Sequence, residues 1–566
     1  MTVQVPQPST CIFYNSAQVY TAKTLRISAV IGVVTFLLWG MFSFPALSAT
    51  SIPFTVAMSE AVNVTGCPTN CPRIAVTVDG QTRYAQYSAG TGSSSLTFTY
   101  APTIGDLDLD GVTLTSPIDL NGGTITDLNG NSITPLTFTV PDTSGIKIDY
   151  PSLSMDFVYD ADGRYTLNGT AYNDLSSFIG AAGGTYTRES TATYFDSTGT
   201  LQTAASGVPR FDHDPVSHAA RGILIEEQRT NYRTYSSEMD NAIWTRSGVN
   251  MLANDFTAPD GTLTAEKMTP TAGTSSHRIY EAAKHTVTSG NPYTASVFVK
   301  SEGQQYIDLY LGYTNFPSGN GATFDLNNGT ITRTFVSTTP KIESIGGGWY
   351  RCSITVSAIS NGSSNSAFFI VHSTNSGVAN TNTTADGTSG YYLWGAQYEL
   401  GHFPTSYIPT TTAAVTRAKD LVNIPTTSWY NQSTGTFFND VSWQTVTGSS
   451  YPMFFRVDDT TNDNRWNNFF KQSTSQVGVD AYNGAAGQGS WLVNSSLSGS
   501  MKIASSQKLN SSNSAFGGVL QIAKSSWDPP PVTRLFFEGG SAQKWFKALR
   551  YYPSYASDTQ LQLLTQ

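Results

Sequence analysis

Charge is scarce in this chain. Only 13% of its 566 residues are Asp, Glu, Lys or Arg, where an ordinary soluble domain carries about 25%. The charge that is present sums to −9, and no run of Lys and Arg occurs anywhere. Such a surface cannot displace the counterions of a nucleic-acid backbone, so nucleic acid is excluded as a partner. Cysteine is nearly missing as well. Four in the whole chain exclude a disulfide-dense scaffold. The one close pair, Cys67-Pro-Thr-Asn-Cys71, has no second Cys or His pair beside it, which argues against zinc. The six histidines (213, 218, 277, 285, 372 and 402) are scattered and fall at no metal-ligand spacing. There is no G-x-S-x-G elbow, no H-E-x-x-H and no phosphate-binding glycine loop. No long internal period and no heptad run is visible, which excludes a solenoid and leaves no coiled coil. The sequence therefore predicts neither an enzyme nor a bound cofactor.

Aromatics are plentiful at 12%, and Gly alone numbers 49. Short alternating apolar runs separated by Gly, Asn and Ser predict an all-β chain. Its length exceeds what a single core supports, so several β-sandwich domains are expected in series.

One stretch is different. Residues 27–49 carry no charge, follow Lys23 and Arg26, and precede the first carboxylate at Glu60. A run of that length reaches across a bilayer and predicts one N-terminal hydrophobic helix. The positive-inside rule puts residues 1–26 in the cytoplasm and the remainder outside. The ending Ala46-Leu-Ser-Ala49 equally suits signal-peptide cleavage, so the segment is a membrane anchor or is removed. In either case the bulk is exported, which favours a Cys67–Cys71 bridge over two free thiols.

Residues 50–143 form a first module. Its motif Gly105-Asp-Leu-Asp-Leu-Asp-Gly111, followed by Leu120-Asn-Gly-Gly-Thr-Ile-Thr-Asp-Leu-Asn-Gly-Asn131, resembles bacterial Ig-like repeats of large surface proteins and implies an Ig-like sandwich. Asp106, Asp108 and Asp110 also imitate the opening of an EF-hand loop. The twelfth position is Pro117 rather than Glu, so a solvated acidic turn is preferred to a Ca²⁺ site.

Residues 144–235 read as a connector with short strands. They contain Pro209-Arg-Phe-Asp-His-Asp214 and Arg221-Gly-Ile-Leu-Ile-Glu-Glu-Gln-Arg-Thr-Asn231. Farther on stand Tyr293-Thr-Ala-Ser-Val-Phe-Val-Lys300, Gly348-Trp-Tyr-Arg-Cys352, Tyr392-Leu-Trp-Gly-Ala-Gln-Tyr-Glu-Leu-Gly401 and Phe403-Pro-Thr-Ser-Tyr-Ile-Pro409. This ordered set resembles phage tail-fibre and head-spike structural proteins. The resemblance implies a carbohydrate-binding-like jelly roll over 236–420. Over 428–566 it implies a concanavalin/laminin-G-like sandwich that ends in a short helix capped by Ser557. It further implies a virion or cell-surface location, other virion or surface proteins as partners, and a homotrimer. A bacterial adhesin built from the same modules is the alternative, and a polysaccharide depolymerase a third.

Sugar rings present apolar C–H faces to flat aromatic side chains, while Arg and Asp hydrogen-bond their hydroxyls. Glycan-binding candidates in the jelly roll are Trp244, Arg278, Tyr280, Tyr306, Asp308 and Tyr310. The last three alternate and so share one strand face. Burying Asp308 without a partner would be costly, which tips that face towards solvent. Trp349 and Trp394 read as core, whereas Trp466, Trp491 and Trp527 lie in loop-like contexts open to a ligand. Glu226 and Glu227 are adjacent carboxylates, but strand neighbours point to opposite faces and cannot flank one glycosidic bond.

Overall fold

The computed structural model describes residues 2–4, 11–14, 51–158, 164–281, 285–362, 368–376, 382–444, 450–538, 540 and 542–566. The protein is all-β, a series of antiparallel sandwiches. Among the described residues only two α-helices occur, Leu175–Ala181 and Asp558–Thr565. Neither is long and apolar enough to cross a membrane. The hydrophobic segment at 27–49 lies outside the described residues.

The N-terminal module packs a seven-stranded and a three-stranded sheet around Phe54, Val56, Ile74, Val76, Leu96 and Phe98. Strand Arg73–Val78 shows why it forms, since every second residue is buried. Cys67 and Cys71 are disulfide-bonded. Strand Thr2–Gln4 pairs with Ile52–Thr65, and Cys11–Tyr14 runs parallel to Ile146–Asp149. Residues 2–4 and 11–14 thus share sheets with a module that the sequence set on the opposite side of a membrane.

The expected connector is no free-standing linker. Leu153–Asp156 and Ala220–Ile225 both pair with Gln543–Tyr552, and Thr185–Thr187 pairs with Leu421–Pro425. One core gathers Leu153, Phe178 and Ile223 with Phe437, Trp466, Phe537 and Tyr551. Residues 150–225 and 421–566 therefore fold as a single sandwich. Residues between them, including most of the predicted jelly roll, form an insertion. The entering strand Arg229–Asn231 and the leaving strand Val415–Arg417 pair antiparallel, so the insertion starts and ends at one point.

That junction is locked by buried charge. Arg210 donates to Glu226 Oε2 (2.6 Å) and Asp420 Oδ2 (2.5 Å), and Arg188 donates to Asp420 Oδ1 (3.1 Å). Arg417 lies 3.5 Å from Glu226, whose oxygens also accept from Ser406 and Gln543. These three arginines and two acids have side chains at most 1% exposed. Burial alone would raise the Glu226 carboxyl, but Arg417 and Arg210 hold it down at about 2. Removing one partner from such a set typically costs about 3–5 kcal/mol, because the other charge is left stranded. The long connector motif thus encodes a clamp.

The insertion is itself a sandwich of two six-stranded sheets. One contains Arg278–Glu281, Phe368–Ser373, Tyr306–Leu311 and Ala322–Asp325; the other contains Pro292–Glu302, Gly390–Leu400 and Trp349–Ser357. Ile279, Ile307, Leu309 and Ile370 meet Val297, Val299, Ile354 and Leu393 between them. Cys352 is buried there as a free thiol.

The N-terminal module docks on the end of the chain. Arg550 and the Tyr552 hydroxyl donate to Asp149 at 2.9 and 2.7 Å, and the Ser557 amide donates to Asp79 at 2.9 Å. Ser557 caps the final helix, its hydroxyl accepting from the Gln560 amide.

Candidate functional site

The outward side of the sheet bearing Tyr306–Leu311 collects most of the predicted ligand residues. Alternation decides which way each points. Ile307, Leu309 and Leu311 enter the core between the sheets, so Tyr306, Asp308 and Tyr310 face away from it. The same parity places Arg278 and Tyr280 outward, since Ile279 lies in the core. Strand register then lines residues up in rows. Tyr280 stands opposite Phe369, and Phe369 opposite Tyr310; Arg278 stands opposite Val371, Val371 opposite Asp308, and Asp308 opposite Thr323.

Across the first row the rings stack. Tyr280 and Phe369 lie 4.6 Å apart, Phe369 and Tyr310 4.3 Å, and Tyr310 and Tyr313 5.3 Å. Each such contact contributes about 0.5–1.5 kcal/mol beyond burial of its area. The inner rings spend both faces on neighbours, leaving Tyr310 1% and Phe369 8% exposed. The end rings Tyr280 and Tyr313 are half-buried. Arg278 completes the row: its Nη1 donates to the Tyr310 hydroxyl at 3.3 Å, and its guanidinium sits 5.8 Å from the Tyr280 ring. Phe335, half-buried under Arg333 at 5.2 Å, packs against the same cluster.

Asp308 corrects an expectation. It is buried, not presented to solvent, and its partner is Thr323, whose hydroxyl donates at 2.6 Å. Burial pushes its carboxyl up to about 6, against the hydrogen bonds from Thr323 and Ser373 and the charge of Arg333. Tyr306 sits half-buried at the far end of the face, opposite Ser373 and Asp325. Trp244 is not on the face at all. It is 2% exposed in the core, and its ring N–H donates to the Tyr235 carbonyl at 3.2 Å. Trp466, Trp491 and Trp527, expected in loops, are buried in the core of the larger sandwich. Phe369, Tyr313 and Phe335 were not among the predicted residues. For Phe369 the signal was parity, because Phe368 and Ile370 are core and Phe369 and Val371 take the opposite side.

The acidic turn is occupied by protein donors. Asp106 accepts from Arg83 (3.0 Å), the Thr103 amide (2.7 Å) and the Tyr100 hydroxyl. Asp108 accepts from the amides of Asp79 (2.9 Å) and Gly111 (2.8 Å), and Asp110 from Gln560 (2.5 Å). The three carboxylates serve different partners instead of converging. Among the described residues no group of three His, Cys, Asp or Glu is placed to hold a metal ion. Through Asp110 and Asp79 this corner joins the module to the C-terminal helix. Glu226 belongs to the clamp, and Glu227 pairs with Arg229.

No protein family and no curated protein matches the chain. Among solved structures it is similar to the CBM40 of the Ruminococcus gnavus IT-sialidase, at 14% identity over 24% of this chain and 84% of that one, with a TM-score of 0.20. It is similar to the GH43 protein BlXynB of Bacillus licheniformis, at 8% identity over 54% and 75% with a TM-score of 0.18. It is also similar to the LG1-3 region of the laminin alpha2 chain, at 10% identity over 51% and 67% with a TM-score of 0.16. Scores this low assign no function.

Proposed function

We propose that the chain is a non-catalytic, receptor-binding structural protein of the phage or prophage tail-fibre or spike kind, displayed on a virion or cell surface, and that its inserted jelly roll holds surface glycans. The observation that carries this reading is the outer sheet face with its row of stacked rings ending in Tyr280, and Arg278 alongside. A pyranose lays its C–H face on the exposed part of Tyr280 while Arg278 donates to its oxygens. The stack is already rigid, so little side-chain entropy is lost on binding. Contacts of this size are weak singly, and a trimer of linked copies would gain avidity without new contacts. The absence of catalysis is part of the proposal. In support, Glu226, the best acidic candidate, is sealed among Arg210, Arg417 and Ser406.

The disulfide Cys67–Cys71 favours a second reading, a bacterial cell-surface adhesin using the same face, because such bonds persist in exported proteins. Glycan arrays probed with the whole chain test the shared claim. We expect retention of a surface polysaccharide without release of reducing ends, and about a tenfold loss in Tyr280→Ala. Binding that is unchanged in Tyr280→Ala and Arg278→Ala would remove this face from consideration. Neighbouring genes for capsid and tail assembly, or for cell-wall sorting, separate the two biological settings.

A further inference from the structure

A recess lies on the outward side of the ten-stranded sheet. Asp156, Ala548, Asp440 and Lys502 form one row across four adjacent strands. Strand register breaks between Asp440 and Val441, so that Lys547 is the extra residue of a bulge. Phe546 and Leu549 both enter the core, and Lys547 with Ala548 fills the space between them on the outer side. Bulges redirect side chains in this way and recur beside functional sites. Here the bulge brings Lys547 to the flank of Asp440, opposite Lys502.

The walls come from elsewhere in the chain. Leu109 reaches in from the N-terminal module, and Leu563 and Leu564 from the final helix. They are fixed by Gln560, which accepts from the Leu109 amide at 2.7 Å and donates to Asp110. The recess holds about 370 Å³, within the range of small-ligand pockets. Among the described residues the side chains of Asp440, Lys502 and Lys547 make no hydrogen bond and no ion pair, although Asp440 is half-buried. Burial raises its carboxyl, and Lys547 and Lys502 pull it the other way. Half-buried charged side chains that lack hydrogen bonds, on a sheet and beside apolar walls, make a site awaiting hydrogen-bonding atoms.

The charge balance chooses the ligand. Asp149, Asp156 and Asp440 face Lys502, Lys547 and Arg550 within the recess, so neither an anion nor a cation is favoured by net charge. A carboxylate that only accepts alternates with ammonium groups that only donate. A sugar hydroxyl does both, and an apolar wall suits its C–H face. We infer that this composite recess binds one neutral sugar residue, independently of the jelly-roll face. The inference shares only its ligand class with the function proposed above.

The test uses the whole chain with glucose, galactose and rhamnose, and with glucuronate and glucosamine as charged controls, followed by saturation-transfer NMR and calorimetry. A neutral sugar should bind, and Asp440→Asn and Lys502→Ala should each weaken it about 10- to 100-fold, the loss expected for a hydrogen bond to a charged group. Both positions lie on the outer side of the sheet, and melting curves confirm that the variants fold. Tyr280→Ala should leave this binding intact, so failure at one site is distinguishable from failure at the other. The proposal is overturned if no neutral sugar binds, if the charged controls bind better, or if both variants bind like the parent. Release of reducing ends from a polysaccharide, abolished by Asp440→Asn, would overturn it too, because Asp156 and Asp440 would then be acting as a hydrolytic pair.

Discussion

The inserted sandwich has two outer faces made from similar residues, and they have opposite fates. On one, Tyr280, Phe369, Tyr310 and Tyr313 stack in a row whose end rings are half-buried. On the other, Phe298, Trp349, Tyr392, Trp394 and Tyr407 are buried together with Leu201 from the preceding segment and Ala258 from within the insertion. The covering is tied down by polar bonds. Gln397 accepts from the Ile408 amide and Glu399 from the Thr405 amide, both at 2.7 Å, and Arg351 donates to the Thr405 carbonyl at 2.7 Å. Strand Gly390–Leu400 is accordingly buried on both sides, apart from its last residue. An aromatic strand face becomes a binding surface only if no other part of the chain returns to cover it.

The covered face should be broken with the largest effect. Arg210→Ala strands Glu226 and Asp420 in the clamp and should cost about 3–5 kcal/mol. Trp394→Ala empties a site packed against Phe298 (5.4 Å) and Tyr407 (4.7 Å) and should cost about as much, 3–5 kcal/mol. Denaturant melts of both variants, with glycan binding measured on the folded fraction, check this. Losses below about 1 kcal/mol would mean that the covering segment contributes little.

Much of this was legible in the sequence, and the limit lies at what one segment does to another. Alternation predicted sandwiches and grouped Tyr306, Asp308 and Tyr310 on one side of a strand, and the resemblance to fibre proteins implied that Trp349 and Trp394 lie inside. Arg278 and Tyr280 were chosen from a different strand, and register brings them beside Tyr310. What alternation cannot express is long-range pairing. Nothing local in Leu153–Asp156 announces that its partner is Gln543–Tyr552, nearly 400 positions away, so a strand of the last sandwich reads as a connector. Trp244 failed for a related reason. Its polar neighbours Thr245 and Arg246 suggest an exposed site, yet it lies opposite Glu281 on the inward side.

A smaller effect comes from the open face and depends on pH. Asp308 has an ordinary value of 3.8 and is raised to about 6 by burial, so the folded chain holds its proton more tightly than the unfolded one. Its stabilising contribution is complete below about pH 4 and is lost as the pH rises through 6, a swing of about 3 kcal/mol at most. Asp308→Asn keeps the acceptor for Thr323 and removes the titration. The variant should match the parent near pH 4 and be the more stable at pH 7.5. His285 and His372, lowered to about 4 by burial, act in the opposite sense but are shared by both proteins and cancel in the difference. Parallel melting curves across this range would contradict the burial of Asp308.

The smallest stability effect belongs to Arg278. Its half-buried guanidinium bonds the Tyr310 hydroxyl at 3.3 Å and lies near the Tyr280 and Phe369 rings, and Arg278→Gln should cost no more than about 1 kcal/mol. Its effect on a ligand should be far greater, because a positively charged donor beside the half-buried Tyr280 ring is placed to hydrogen-bond a sugar. The two faces then separate cleanly. On the covered face, stability and binding fall together; on the open one, Arg278→Gln and Tyr280→Ala should reduce glycan retention while the melting temperature stays within a few degrees of the parent. If instead both variants unfold the sandwich, the ring stack is a structural seam like the one around Trp394, and the glycan site lies elsewhere.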